Sequence, residues 1–275
     1  ITHRPVDICA VSTKVPAMYQ LAVNIESLFT EAGPDPADRV RAAAAAGFDA
    51  VEMFGTSDKD VPRLAKVLSD NGMSVCSVVA EPYSNFTFPG TDLGPFFDGL
   101  ERGVDNARVL GSPRIAVTSG VGFPAVDRTE NLKRLIDAMA QAVERTAGSG
   151  VKLVIEAVNT RIDHPGALLD RTEDAIAVAR GVDSESLAIM YDLYHSVVNG
   201  EDPATELANA HGLVDYVGVA DAPGRGEPGS GTIDWPQFLS VLRGSGYAGP
   251  IGLEVFPTGP SAESLRYIRS LAADA

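Results

Sequence analysis

Short apolar runs, many of them β-branched, alternate along this chain with longer stretches of mixed polarity, and the alternation recurs about eight times. Leu21 to Ile25, Phe48 to Phe54, Met73 to Val79, Arg114 to Val117, Val151 to Ile155, Leu187 to Tyr191, Val214 to Val219 and Ile251 to Leu253 read as strands. Helices are predicted over Pro36 to Ala46, Asp60 to Asn71, Asp92 to Leu110, Thr129 to Thr146, Thr172 to Arg180, Pro203 to Ala210, Trp235 to Arg243 and Ser261 to Ala273. Pro36 stands in a first turn, and Gly47 and Gly72 mark helix ends. Val151-Lys152-Leu153-Val154-Ile155 has the continuous apolar character of a strand covered on both faces, as parallel strands are. Eight β/α units joined by short turns predict one α/β domain, a (β/α)8 barrel over residues 21–275. Residues 1–20, with a further apolar run at Val6 to Val11, are left as an N-terminal extension or capping segment. No GxGxxG follows an early strand, so an open dinucleotide-binding sheet lacks its main support.

Composition narrows the function classes. A formal net charge of -15 repels phosphate backbones and anionic membrane surfaces, so neither nucleic acid nor a membrane is an expected partner. The two cysteines, Cys9 and Cys76, have no metal-ligand spacing and read as buried thiols of a reducing cytoplasm. No apolar run approaches the ~20 residues of a membrane span, and no basic segment leads into an apolar one near residue 1, so a cytoplasmic, unexported chain is expected. Quaternary structure stays open, a homo-oligomer included.

The candidate chemistry sits at strand ends. Glu156 follows Val151 to Ile155, Asp192 follows Ala188 to Tyr191, and Glu254 follows Ile251 to Leu253. In a barrel these ends form one mouth, where enzymes of this architecture place their chemistry. Three carboxylates brought together repel, and a divalent cation among them relieves that repulsion. All-oxygen ligation suits Mg²⁺ or Mn²⁺ better than zinc. The alternative is three unrelated strand-end carboxylates on an acidic protein.

Six stretches carry a resemblance: Leu28-Phe29-Thr30-Glu31, Ala45 to Glu52, Ile155-Glu156-Ala157-Val158-Asn159-Thr160-Arg161, Asp192-Leu193-Tyr194-His195, Ala220 to Gly229, and Gly252-Leu253-Glu254. As an ordered set the chain resembles the hydroxypyruvate isomerase family, of the xylose isomerase-like TIM-barrel superfamily. The resemblance implies a metal-dependent isomerisation or epimerisation of a small hydroxy-carbonyl compound or sugar acid, without an organic cofactor. By the same resemblance Glu156 and Glu254 are metal ligands and the acid/base pair, and Asp192 is a metal ligand. His195 and Arg225 would contact substrate oxygens or a substrate carboxylate. Glu227 would orient Arg225, Glu52 would supply a supporting carboxylate or a structural ion pair, and Asn159 and Arg161 would shape the mouth.

One position departs from the family. Its fourth metal ligand, a Gln or His on the seventh strand, falls at Gly218, which offers no side chain. Water, or Asp221 three residues on, is a candidate replacement. The gap equally suits a relative with another substrate, a lyase or dehydratase, or a non-catalytic sugar-acid-binding barrel. DNA-repair endonucleases of the superfamily fit poorly, because the chain is acidic and has only four histidines. Tyr83, Phe86, Phe88 and Phe123 are left as pocket-lining or packing residues.

Overall fold

The computed structural model describes residues 19–274, so the apolar run at Val6 to Val11 and Cys9 lie outside the described residues. Eight strands, β1 (Leu21–Asn24), β2 (Ala50–Met53), β3 (Ser74–Val79), β4 (Arg114–Thr118), β5 (Lys152–Glu156), β6 (Leu187–Asp192), β7 (Val214–Val219) and β8 (Ile251–Leu253), pair in chain order. All are parallel, and β8 closes against β1 through Leu21 opposite Ile251 and Val23 opposite Leu253. The expected (β/α)8 barrel is therefore the fold. Around it run α1 (Pro36–Ala45), α2 (Val61–Asp70), α3 (Gly94–Leu110), α4 (Arg128–Arg145), α5 (Thr172–Val182), α6 (Leu193–Asn199), α7 (Pro203–Asn209), α8 (Trp235–Gly244), α9 (Ser261–Ser264) and α10 (Arg266–Asp274).

Helix starts repeat one local device. Asp35, Asp60, Asp202 and Asp234 each accept a backbone N–H from the first turn of α1, α2, α7 and α8, and each of those turns carries a proline. Two features depart from the sequence expectation. The C-terminal helix is divided at the fully buried Leu265. The short α6 springs directly from β6, because Asp192 ends the strand and caps the helix at once. A seven-residue helix spans only about two turns, too few to show a helical period in sequence.

Period two along the strands sorts the side chains. Inside the barrel lie Ala22, Ala50, Cys76, Ala116, Val154, Ala188, Met190 and Tyr216, while the outer strand faces meet the apolar helix faces in the larger core. Burial pushes the Cys76 thiol up to about 12, as suits an unreactive interior thiol. One pleat further along, the same inward direction belongs to Asn24, Glu52, Thr118, Glu156, Asp192 and Gly218. The packed interior thus changes to polar groups within two residues. At the opposite end Asp215 is held by two cations, Arg114 Nε at 2.6 Å and Lys152 Nζ at 2.9 Å. Among the described residues no helix is long and apolar enough to cross a membrane.

Candidate active site at the C-terminal mouth of the barrel

Above the interior layer a cavity of about 250 Å³ opens, with Asn24, Glu52, Glu156, His195, Arg225 and Glu254 contributing its polar wall. Tyr83, His164, Phe54 and Phe256 border it on the apolar side. Of the four aromatic residues left open by the sequence, only Tyr83 reaches it. Phe86 packs edge-on against Phe96 at 4.8 Å, and Phe88 against Phe123 at 5.1 Å.

The carboxylates carry opposed electrostatics. Burial raises the Glu156 carboxyl well above its ordinary range, and the charges of Asp192 and Glu254 push in the same direction while Arg225 opposes them. Glu254 is raised to about 8, chiefly by burial, with Arg225 opposing and Glu52 and Asp192 adding to the rise. Glu52 is raised to about 7 by burial, against hydrogen bonds from Tyr216 and Asn24 that favour its charge. Its oxygens receive the Tyr216 hydroxyl and the Asn24 amide, the latter at 3.3 Å. Among the described residues no cation touches Glu52, which stands on the cavity wall as a hydrogen-bonded carboxyl. Gly252 makes that arrangement possible: a Cβ there would lie 2.2 Å from Glu52 Oε2 and 2.5 Å from the Tyr216 hydroxyl.

Asp192 divides its two oxygens between structure and site. Oδ1 accepts the His195 backbone N–H at 2.9 Å, capping α6, and Oδ2 lies over Gly218. A Cβ at position 218 would come within 2.8 Å of that oxygen and 2.9 Å of the Met190 methyl. The volume a longer residue would take is therefore filled by the Asp192 carboxylate. Donor atoms of Glu156, Asp192 and His195 all lie within 4.8 Å of one another. Glu254 stands apart from that group, in an ion pair with Arg225 Nη2. The expected ligand trio is accordingly rearranged: Glu156 and Asp192 converge, and the Arg225 cation holds Glu254.

Buried as it is, His195 is lowered to about 4, mainly by desolvation. Its Nε2 faces Glu156 Oε1 at 3.9 Å, and its ring meets that of His164 at 5.4 Å. Asn159, expected at the mouth, is fully buried behind His195 and does not line the cavity. Its amide instead organises the turn after β5, accepting the backbone N–H groups of Ile162 and Asp163 at 3.0 Å each. Arg161 points away and donates to the Val198 carbonyl at 3.1 Å.

The loop after β7 presents Arg225. This residue has φ 55°, an uncommon conformation for a side chain with a Cβ, and Phe256 N–H secures its carbonyl at 2.8 Å. The guanidinium lies 5.3 Å from the Tyr194 ring and 5.9 Å from that of Phe256, and its Nε is buried with no hydrogen-bond partner among the described residues. Two expectations are corrected here. Asp221 is not a replacement ligand, because strand alternation turns it away from the barrel axis. It is fully buried and accepts from Gly229 N at 2.7 Å, Trp235 Nε1 at 2.8 Å and Ile233 N at 3.2 Å, so it holds the loop's shape. Glu227 does not orient Arg225; it accepts from Thr258 N at 3.1 Å and Thr258 Oγ1 at 2.7 Å, tying the β7 and β8 loops together. Similarly Glu31 accepts from Ser261 N at 2.8 Å and Oγ at 3.0 Å, joining the first and last loops.

Sequence reasoning missed Asn24, His164, Tyr216 and Phe256. Period two signals Asn24, one pleat beyond the interior Ala22, and Tyr216, itself an interior residue, and Phe256 lies two beyond Glu254. His164 has no local signal.

Fold and site together define a parallel α/β barrel with an acidic pocket at the carboxyl ends of its strands. The model of the xylose isomerase-like TIM barrel family matches residues 40–271, and the chain belongs to that family. The 2-oxo-tetronate isomerase of Cupriavidus necator is 29% identical, with 92% of this chain and 98% of that protein covered. The hydroxypyruvate isomerase of Escherichia coli K12 is 28% identical, with 91% and 98% covered. Among solved structures, an AP endonuclease, family 2, from Brucella melitensis superposes with a TM-score of 0.84 at 25% identity, covering 92% of this chain and 98% of that one.

Proposed function

We propose that the protein is a divalent-metal-assisted isomerase or epimerase of a small hydroxy-carbonyl compound or sugar acid, acting through an enediolate, with Glu156 and Glu254 as the acid/base pair. The observation that carries this reading is the pair of buried carboxyls on one cavity, both with raised proton affinity and with Arg225 bonded to one alone. Two carboxyls whose proton affinity is raised in this way can serve one as base and the other as acid. The base removes a proton from the carbon bearing the hydroxyl, and the electron pair moves into the carbon–carbon bond as the carbonyl oxygen gains charge. Return of the proton to the neighbouring carbon, with the hydroxyl proton passing between the oxygens, gives the isomer. Return to the same carbon from the other face gives the epimer.

The donor chemistry fits a cation. Glu156 and Asp192 are buried carboxyl groups brought close together, and Arg225 is bonded to Glu254 instead. These two carboxylates would hold Mg²⁺ or Mn²⁺, with Glu254 beside them. Bound there, the ion would stabilise negative charge developing on the substrate oxygens. Arg225 is the cation positioned for a substrate carboxylate or oxyanion, and the proposed substrate is small enough for the cavity. The names of the Cupriavidus and Escherichia relatives support hydroxypyruvate or a 2-oxo-tetronate as first candidates. A nucleic-acid substrate is disfavoured by the net charge of -15.

Gly218 favours a second reading, a barrel that binds a sugar acid without turning it over, since the usual fourth ligand has no side chain there. Incubation in D₂O with Mn²⁺ or Mg²⁺ and short keto-acids and ketoses, followed by NMR, separates the two. Metal-dependent C–H exchange that Glu156→Gln or Glu254→Gln abolishes is the expected result. Ligand-induced stabilisation without exchange, with metal occupancy verified, would overturn the enzymatic proposal. Expulsion of a β-substituent in place of reprotonation would identify a lyase.

A further inference from the structure

Three hydrogen bonds determine which way the buried Asn159 amide faces. Its Oδ1 accepts two backbone N–H groups, from Ile162 and Asp163, each at 3.0 Å. Its Nδ2 faces Asp163 Oδ2 at 2.5 Å and His195 Nδ1 at 2.7 Å. Rotating the amide by half a turn would set its oxygen against a carboxylate and its NH₂ against two N–H donors. The three contacts to the Ile162 and Asp163 N–H groups and the Asp163 carboxylate would then become repulsive whatever the His195 tautomer, so chemistry alone assigns the orientation.

The consequence falls on His195. With an NH₂ donor at 2.7 Å, Nδ1 must present its lone pair, and a proton on Nδ1 would place donor against donor. The ring is then neutral and carries its single proton on Nε2. Nε2 is the nitrogen turned toward the cavity, 3.9 Å from Glu156 Oε1, too far for a hydrogen bond to that oxygen.

We infer that Asn159 is a positioning residue that holds His195 as its Nε2–H tautomer, so that His195 offers the cavity a hydrogen-bond donor and no metal-binding lone pair. This rests on the cavity being the enolising site for its purpose, though not for its existence. Nearness alone would let His195 serve as a ligand beside Glu156 and Asp192. The tautomer removes it from that set and leaves an all-oxygen donor group, which suits a hard divalent ion over zinc. The same N–H is placed for a substrate oxygen, where it would steady charge that develops during enolisation. Asp163 supports the device by accepting the second Asn159 hydrogen.

The test is the tautomer itself, read on the metal-free protein labelled with ¹⁵N in its histidines. Long-range ¹H–¹⁵N correlation distinguishes the protonated from the unprotonated ring nitrogen, and His195→Gln identifies the His195 signals among the four histidines. We expect protonated Nε2 and unprotonated Nδ1 in the unaltered protein. In Asn159→Asp, whose carboxylate accepts instead of donating, the pattern should invert. A proton on Nδ1 in the unaltered protein, or an unchanged pattern in a folded Asn159→Asp variant, would overturn the inference. Should Asn159→Asp fail to fold, the spectrum of the unaltered protein still decides. A protonated Nε2 in a protein that exchanges no substrate C–H would uphold the tautomer while removing the isomerase reading, so the two claims fail separately.

Discussion

The two ends of the barrel handle buried acids in opposite ways. At the end where the strands begin, Asp215 has two cations, Arg114 and Lys152, and although burial opposes them they hold its carboxyl below the usual range. At the end where the strands finish, Glu156, Asp192 and Glu254 share Arg225, which bonds to Glu254 alone, Glu52 stands beside them, and the shifts of the three glutamates run upward. The first arrangement stabilises the fold. The second costs stability and stores proton affinity near neutral pH, as expected of a mouth built for chemistry rather than packing.

The largest effect should come from the acidic mouth. Glu156→Gln or Glu254→Gln is expected to lower substrate C–H exchange by about 10²–10⁴-fold. Glu156→Gln should at the same time raise the melting temperature at pH 8, because a carboxylate repelled by Asp192 and Glu254 has gone. A lowered melting temperature would break the contrast between the two ends.

Removing the lower acid should do the reverse. Asp215→Asn is expected to cost about 1–3 kcal/mol, below the full value for a buried pair because the site is partly solvated. Exchange per folded molecule should stay unchanged. Since the Asp215 pKa is depressed on folding, its contribution is present above the unfolded pKa of about 4 and fades as pH falls through the folded one. Urea titrations of both proteins at pH 3 and pH 7 measure the shrinking difference.

The upper acids carry the opposite sign. Between its ordinary 4.5 and about 8, Glu254 holds in the folded state a proton that the unfolded chain releases. Stability of the metal-free protein should therefore decline as pH rises through that window, by an amount on the order of 1–3 kcal/mol. Mn²⁺ should restore more stability at pH 8 than at pH 5. A flat profile without metal would show that the mouth stores no proton affinity. The smallest effect is expected at the rim: Glu227→Ala should cost about 0.5–1.5 kcal/mol through the lost Thr258 bonds and leave KM within about twofold. A larger change in KM would return Glu227 to the substrate.

Much of the scaffold was legible because its information is local. Each strand is a few adjacent apolar residues, several helix starts carry an Asp or Pro beside the first turn, and a carboxylate one pleat beyond an interior residue has to face the axis. The sequence singled out Glu156, Asp192 and Glu254 by their place at strand ends. It misplaced Glu227 and Asp221, whose partners belong to other loops or to a turn of irregular shape. Asn159 and His195 lie 36 positions apart, and Arg225 and Glu254 lie 29 apart. The sequence by itself determined the alternation, the place of the three acids at strand ends and the absent side chain at Gly218. Only closure of the barrel decided that Arg225 reaches Glu254, that Asp192 fills the space over Gly218 and that Asn159 stands behind His195, because those contacts join loops that local preference does not relate.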